Sequence, residues 1–272
     1  MKRIINAILL LMALVSSNLL WAGDLEDGLL AWERKNYTTA REKFLVAADR
    51  GNSEAQIRLG FIHFYGLGVV KNYAQAINWF KKAAENGNTD AQFILGAMYI
   101  RAEGVAKDYK QAMYWHTKAA ELGNAEAQHS LGGMYGEGLG VAQNTKLALE
   151  WYTKAANQGL VNSQVKLGDM YFKGDGVIQD YKQSMYWNIK AAEQGDAEAQ
   201  HRLGLMYLLG RGVIPNTILS HMWLNLAATN GAEKASKARD ELAKMAMTGQ
   251  EINQAQQMAK QCLVQKYRNC EK

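Results

Sequence analysis

"EAQHSLGGMYGEGLGV" (Glu126–Val141) and "EAQHRLGLMYLLGRGV" (Glu198–Val213) stand 72 residues apart and are nearly the same text. Seventy-two is twice 36, and the shorter step runs through most of the chain. Trp79, Trp115, Trp151, Trp187 and Trp223 are each 36 apart. So are the Leu-Gly pairs that end at Gly60, Gly96, Gly132, Gly168 and Gly204. The Gly-Val pairs that begin at Gly68, Gly104, Gly140, Gly176 and Gly212 keep the same step, as do the Ala-Ala pairs from Ala83-Ala84 to Ala227-Ala228. Glycine closes each unit at 87, 123, 159, 195 and 231. A fixed period of this length marks an array of stacked supersecondary units.

Each unit reads as a helical hairpin. Ala127, Leu131 and Met134 fall at i, i+4 and i+7, the spacing of one apolar helix face. The Gly-x-Gly-Val stretch interrupts that helix. The second helix carries Tyr109, Ala112, Met113 and Ala120 on one stripe, with Trp115 beside it, and Gly123 is placed to cap it with a positive φ. A glycine inside the first helix costs about 1 kcal/mol against alanine. Its recurrence in five copies predicts a close approach by a neighbouring helix. The tryptophan, present in every unit, reads as a core wedge rather than a ligand platform.

The ends depart from the pattern, as solenoid caps do. Upstream, Asn36, Tyr37, Ala40, Phe44, Ala47, Ala48 and Gly51 match the second helix in register, preceded by "DLEDGLLAWERK". Downstream of Ala232 the helical spacing persists without the Trp and Gly-Val columns. Thr248 followed by Glu251 fits a capping box at the start of the last helix. The resulting frame is a leader over 1–22, a capping hairpin over 23–54, five repeats (55–90, 91–126, 127–162, 163–198, 199–234) and C-terminal capping helices over 235–272.

The columns Ala-x-x-x-Leu-Gly-x-x-Tyr-x-x-Gly-x-Gly-Val and Ala-x-x-Trp-x-x-Lys-Ala-Ala-x-x-Gly resemble the Sel1-like repeat, a relative of the tetratricopeptide repeat. The resemblance runs from Asn36 to about Cys262 and implies an all-α, right-handed solenoid of stacked hairpins. The departures are His63 in the tyrosine column, Ala102 for a loop glycine, Ser163 for the leading alanine and Leu226 for the lysine. The family implies protein–protein interaction: scaffolding of envelope complexes, contact with host factors, or immunity against a secreted toxin such as a phospholipase.

Composition agrees with an exported protein. Lys2 and Arg3, an apolar run over Ile4–Val15 and Ala22 have the layout of a secretory signal peptide. Cleavage after Ser17, with Val15 at −3, is the second option, and an uncleaved anchor is the alternative because the apolar stretch approaches spanning length. Without Lys2 and Arg3 the chain carries 29 basic and 26 acidic residues, too mild a balance to point to nucleic acid. Its only cysteines, Cys262 and Cys270, would pair in an oxidising compartment. Residues eight apart on a helix are about 12 Å apart, beyond disulfide reach, so pairing predicts that the last helix ends between them. A terminal cysteine pair also resembles exported bacterial members of the family, which implies a periplasmic or secreted location.

No cofactor or metal set is legible. His129 and His201 share a column but lie two repeats apart, roughly 20 Å at ordinary helix packing distances, too far for one ion. His63, His116 and His221 fall in other columns with no Cys or carboxylate pattern nearby. No glycine loop ends in the Lys-Ser of a phosphate-binding loop. Ser163-Gln-Val-Lys166 matches the Ser-x-x-Lys acylation motif, and some Sel1-like proteins have been linked to penicillin binding. That makes a penicillin-binding or cell-wall-directed enzyme the alternative reading. Ser163 stands where the other repeats have alanine, however, and no Ser-Asp-Asn or Lys-Thr-Gly follows.

Recognition is expected in columns that vary between repeats. By resemblance to tetratricopeptide geometry, the concave face exposes the columns that begin at Ile57, Phe61, Phe64 and Tyr65. The predicted partner-binding residues are therefore Phe61, Phe64, Tyr65, Phe93, Ile100, Arg101, His129, Asp169, Phe172 and His201. The N-terminal part of this set is aromatic and apolar, suited to a peptide or protein partner.

Overall fold

Asparagine and aspartate open most of the helices. In the computed structural model, which describes residues 23–268 and Cys270, the side chains of Asn52, Asn88 and Asp196 accept from backbone amides three residues on. Asn72, Asn144 and Asn216 do the same for the second helices of their hairpins. Each cap satisfies a donor that the helix itself leaves open, worth about 1 kcal/mol. Leu160 and Ala232 cap their helices without a side-chain bond.

Among the described residues these starts define fourteen helices and no strand. They are α1 (23–33), α2 (Tyr37–Asp49), α3 (Ser53–Tyr65), α4 (Tyr73–Glu85), α5 (Thr89–Arg101), α6 (Tyr109–Glu121) and α7 (Ala125–Glu137). There follow α8 (Thr145–Asn157), α9 (Val161–Lys173), α10 (Tyr181–Ala192), α11 (Ala197–Leu209), α12 (Thr217–Thr229), α13 (Glu233–Ala246) and α14 (Gly249–Val264). They form two compact units, divided between Ala127 and Gln128 within α7. Each unit is built of stacked helical hairpins, the solenoid class expected from the sequence.

The first helix of a hairpin ends on a left-handed residue: Gly66, Gly174 or Gly210, and Ala102 at φ 57° in the one repeat that lacks the glycine. The chain then returns so that the capping residue of the second helix bonds the last turn of the first. Asn72 N donates to His63 O at 2.8 Å, and Asp180 N to Tyr171 O at 2.9 Å.

The helix-interior glycines do what their recurrence predicts. A Cβ on Gly60 would stand 2.4 Å from the Phe80 ring; on Gly96, 2.5 Å from His116. On Gly132 it would stand 2.7 Å from Tyr152, on Gly168 2.6 Å from Asn188, and on Gly204 2.6 Å from Leu224. The residue after each column tryptophan thus lies flat on a first helix whose backbone is bare. The N-terminal cap has the same device, unnoticed in the sequence: a Cβ on Gly28 would meet Phe44 at 2.5 Å. Around these contacts Leu59, Leu95, Leu131, Leu167 and Leu203 are fully buried. Trp115, Trp187 and Trp223 are buried too, whereas Trp79 and Trp151 are half-buried.

A second device is polar. Gln56, Gln92, Gln164 and Gln200, all buried, donate their amides to the carbonyls of Ala48, Ala84, Ala156 and Ala192 at 3.0–3.1 Å. The amide oxygens of Gln56, Gln164 and Gln200 accept from Asn86, Gln194 and Asn230, and that of Gln128 from Gln158, at 2.8–3.1 Å. Leu122 occupies this amide column in the remaining repeat and is 62% exposed. There the buried Oε1 of Gln92 has no partner.

At the C-terminus Thr248 and Glu251 form the expected capping box. The Cys262–Cys270 disulfide is present, with α14 ending at Val264 and Lys266 and Tyr267 in the left-handed region to turn the tail back. The leader predicted over 1–22 lies outside the described residues.

Leu122→Gln restores the missing donor and is expected to raise the stability of the chain by about 1 kcal/mol, the net value of one such bond. Urea denaturation checks this; unchanged stability would mean that the amide column is decoration.

Candidate functional site on the first-helix faces

In the first unit α3 brings three of the predicted residues together. Phe61 stacks on Tyr65 with ring centroids 6.0 Å apart, and Phe64 meets Tyr65 edge-on at 5.0 Å. Phe61 also packs edge-on against Phe80, and Phe64 against Tyr73 with the Lys71 ammonium 4.5 Å over the Tyr73 ring. Phe61 and Phe64 are half-buried in this cluster, and Tyr65 is 62% exposed. The rings therefore present a pre-ordered aromatic edge rather than loose side chains. Phe93 packs elsewhere, on His116 at 5.5 Å. Ile100 is half-buried and Arg101 is exposed.

One assignment of faces is corrected. Ile57, read as the start of an exposed column, is only 5% exposed and belongs to the core with Ile77 and Phe80. It lies one turn before Phe61 on the side that meets α4, so the open face begins farther along the helix.

In the second unit His129 and Asp169 line one cavity of about 450 Å³, with Tyr152, Lys166, Glu137 and Asp196. Asp169 is ion-paired with Arg202, which also approaches Glu198 at 3.6 Å. Burial, and then Glu137, push the Tyr152 phenol up to about 12, so it stays protonated at neutral pH. Phe172 lies edge-on to Tyr181, with Arg211 5.0 Å over its ring. His201 is half-buried, its imidazole held below the usual histidine range by burial. Among the described residues no group of three or more His, Cys, Asp or Glu side chains is placed to hold a metal.

Ser163 has no exposed surface, and its hydroxyl is 2.8 Å from His129 Nδ1. Its leading-alanine column is buried in the other repeats as well. A contact between a serine oxygen and an imidazole has the geometry of a nucleophile and its base, but a buried hydroxyl is not offered to a substrate.

The geometry has a counterpart in known proteins. A family model described as the Sel1 repeat matches five consecutive segments, 53–88, 89–124, 125–160, 161–196 and 197–231. The chain belongs to the Sel1 repeat family. Its segments begin two residues upstream of the frame chosen from the columns, a matter of phase. Among solved structures it is similar to c5321, described as a protective antigen present in uropathogenic Escherichia coli strains displaying an SLR fold. The two share 38% identity at a TM-score of 0.79, over 91% of this chain and 54% of that one. The chain thus spans about half the length of that protein. It is similar as well to a Sel1 repeat protein from Oxalobacter formigenes, at 32% identity and a TM-score of 0.76, over 87% of this chain and 99% of that one. No curated protein matches it. Among the described residues no helix is long and apolar enough to cross a membrane.

The columns that vary between Sel1 repeats also include the buried residue after the tryptophan. His116 fills it with no exposed surface and no hydrogen-bond partner on either ring nitrogen, against Gly96 and Phe93. Burial holds its imidazole down to about 4. The unfolded chain takes up this proton near pH 6.5 and the folded chain only near 4, so stability falls as pH drops through that window. His116→Phe, which copies Phe80, is expected to keep on the order of 3 kcal/mol that the parent chain loses between pH 6.5 and 4. Parallel unfolding curves at the two pH values check this.

Proposed function

We propose that this Sel1 repeat chain is an exported, non-enzymatic interaction module that binds a protein or peptide partner in the bacterial envelope through its first-helix faces. The observation that carries the reading is the α3 edge of Phe61, Phe64 and Tyr65. Two rings are locked by packing, and the third stands 62% exposed. Rigid aromatic anchors of this kind lose little entropy on binding and recur at interface hot spots. The set extends through Phe93, Ile100 and Arg101, and through His129, Asp169, Phe172 and His201 in the second unit. The signal-peptide layout and the terminal disulfide support an oxidising compartment, periplasmic or secreted. The similar Escherichia coli protein is described as a protective antigen, which fits an exported role. A scaffold or adaptor for envelope proteins is the role proposed; host factors and secreted toxins are the other partners to test.

Crosslinking in envelope extract and mass spectrometry would name the partner. Phe64→Ala with Tyr65→Ala is then expected to weaken its binding by tenfold or more, because loss of two anchors at a hot spot costs at least ~1.4 kcal/mol. Unchanged affinity of that variant, with the fold intact, would move the interface off this face.

The 2.8 Å contact between Ser163 and His129, which with Lys166 lines the cavity, raises a second reading that the burial of Ser163 opposes: covalent capture of a penicillin or a cell-wall peptide. A labelled-penicillin gel decides between the classes. No label is expected; a band lost in Ser163→Ala would make the chain a penicillin binder.

A further inference from the structure

A cavity of about 630 Å³ opens on the second-helix side of the first unit, between α2 and α4 and beside the end of α3. Its wall carries Arg41, His63, Trp79, Lys81, Lys82 and Glu85. Two of these residues break the repeat pattern. Position 41 corresponds to Ile77, Met113, Leu149, Met185 and His221, a column buried at 77, 185 and 221. Position 63 corresponds to Tyr99, Tyr135, Tyr171 and Tyr207. At one place in the stack, then, a guanidinium stands in a column that is apolar in four of its other five copies and histidine in the fifth, and an imidazole stands for a phenol.

The two substitutions meet in this cavity, and nothing among the described residues answers them. Among the described residues Arg41, Lys81 and Lys82 enter no ion pair, and Glu85, the cavity's one acid, pairs with none of them. His63 Nδ1 is buried and has no hydrogen-bond partner. Burial and the Arg41 charge both hold the His63 imidazole below the usual histidine range, as an uncompensated cation beside it requires. A half-buried guanidinium and a buried unpaired ring nitrogen are costly together unless a ligand completes them.

We propose that this cavity receives an acidic peptide segment of a partner protein, with a carboxylate between Arg41 and the lysines and the peptide's apolar part on Trp79 and Leu45. The planar guanidinium suits a carboxylate. The amide side chains of Gln75 and Asn78 on the same wall suit a peptide backbone. A free phosphate is less well served. The backbone N–H of Gln75, in the first turn of α4 and on the cavity wall, already donates to Asn72 Oδ1 and is not free for an anion. The Lys82 ammonium lies 4.2 Å from the Trp79 ring and holds the indole as a fixed floor. The site lies apart from the aromatic edge of α3 and does not depend on it.

Fluorescence anisotropy of the whole purified chain with a labelled hexaglutamate peptide, at low salt, tests the assignment. Saturable binding is expected, weakened at least tenfold by Arg41→Leu with His63→Tyr, residues that the repeats themselves accept at Leu149 and Tyr99. Lys81→Gln with Lys82→Gln, both changes toward the surface, is expected to weaken it at least threefold should the first pair perturb folding. Lys154→Gln, which removes the ammonium over Trp151 in the second unit, is expected to leave it within twofold. Absence of saturable binding, equal binding by both cavity variants, or an equal loss in Lys154→Gln would overturn the proposal. So would displacement of the peptide by inorganic phosphate at equal concentration, which would make the cavity an anion site of another kind.

Discussion

The contact between a bare helix backbone and the side chain laid across it sets the spacing of everything else. Without a Cβ at Gly60, Gly96, Gly132, Gly168 or Gly204, the partner side chain reaches the first helix at distances no other residue permits. The cost of glycine in a helix interior, about 1 kcal/mol each, is offset by burying a large side chain on each one, about 1.5–3 kcal/mol. Because the glycine fixes the approach and not the chemistry, the covering residue is free to vary. Phe80, His116, Tyr152, Asn188 and Leu224 all fit. That freedom admits at the centre of one hairpin a histidine whose ring nitrogens have no partner among the described residues, and with it the loss of stability expected as pH falls below 6.5.

Polar bonds then register one hairpin against the next. In three repeats a buried glutamine (Gln56, Gln164 or Gln200) reaches back to a carbonyl at the end of the preceding second helix and forward to an amide of its own hairpin. Such a buried pair has few alternative partners, so a slipped hairpin would strand both groups. Apolar columns of Leu, Met and Ala tolerate small displacements; the amide column does not. Its interruption at Leu122, where Gln92 is left half-satisfied, shows that the scaffold survives one missing rung.

The fold was legible because its determinants recur. Period, interior glycines, caps and the capping box at Thr248 are all local patterns, and each repeat repeats the message. The glutamine column and the covering residue after each tryptophan were equally present in the text, at the same step of 36. They went unread because a glutamine looks like surface and a column of Phe, His, Tyr, Asn and Leu looks unconstrained. Burial gives them meaning, and burial is set by the neighbouring helix. Gly28 escaped for the same reason, since a single cap has no second copy to compare.

The binding residues were less legible because exposure along one helix face is set by which neighbouring element covers each turn, and i, i+4 spacing alone does not show that. Ile57 and Phe61 differ by one turn, yet one is core and the other edges an open cluster. A repeat protein supplies a correction to this weakness, since each position has internal standards. A residue that departs from its column at an exposed position costs the fold nothing and tells little. Arg41 and His63 depart from columns that are otherwise phenolic at 63 and, His221 apart, apolar at 41; they meet in space, and among the described residues their polar groups lack partners. Packing cannot account for a coincidence that packing disfavours, and so the second-helix cavity stands as a site in its own right beside the aromatic edge of α3.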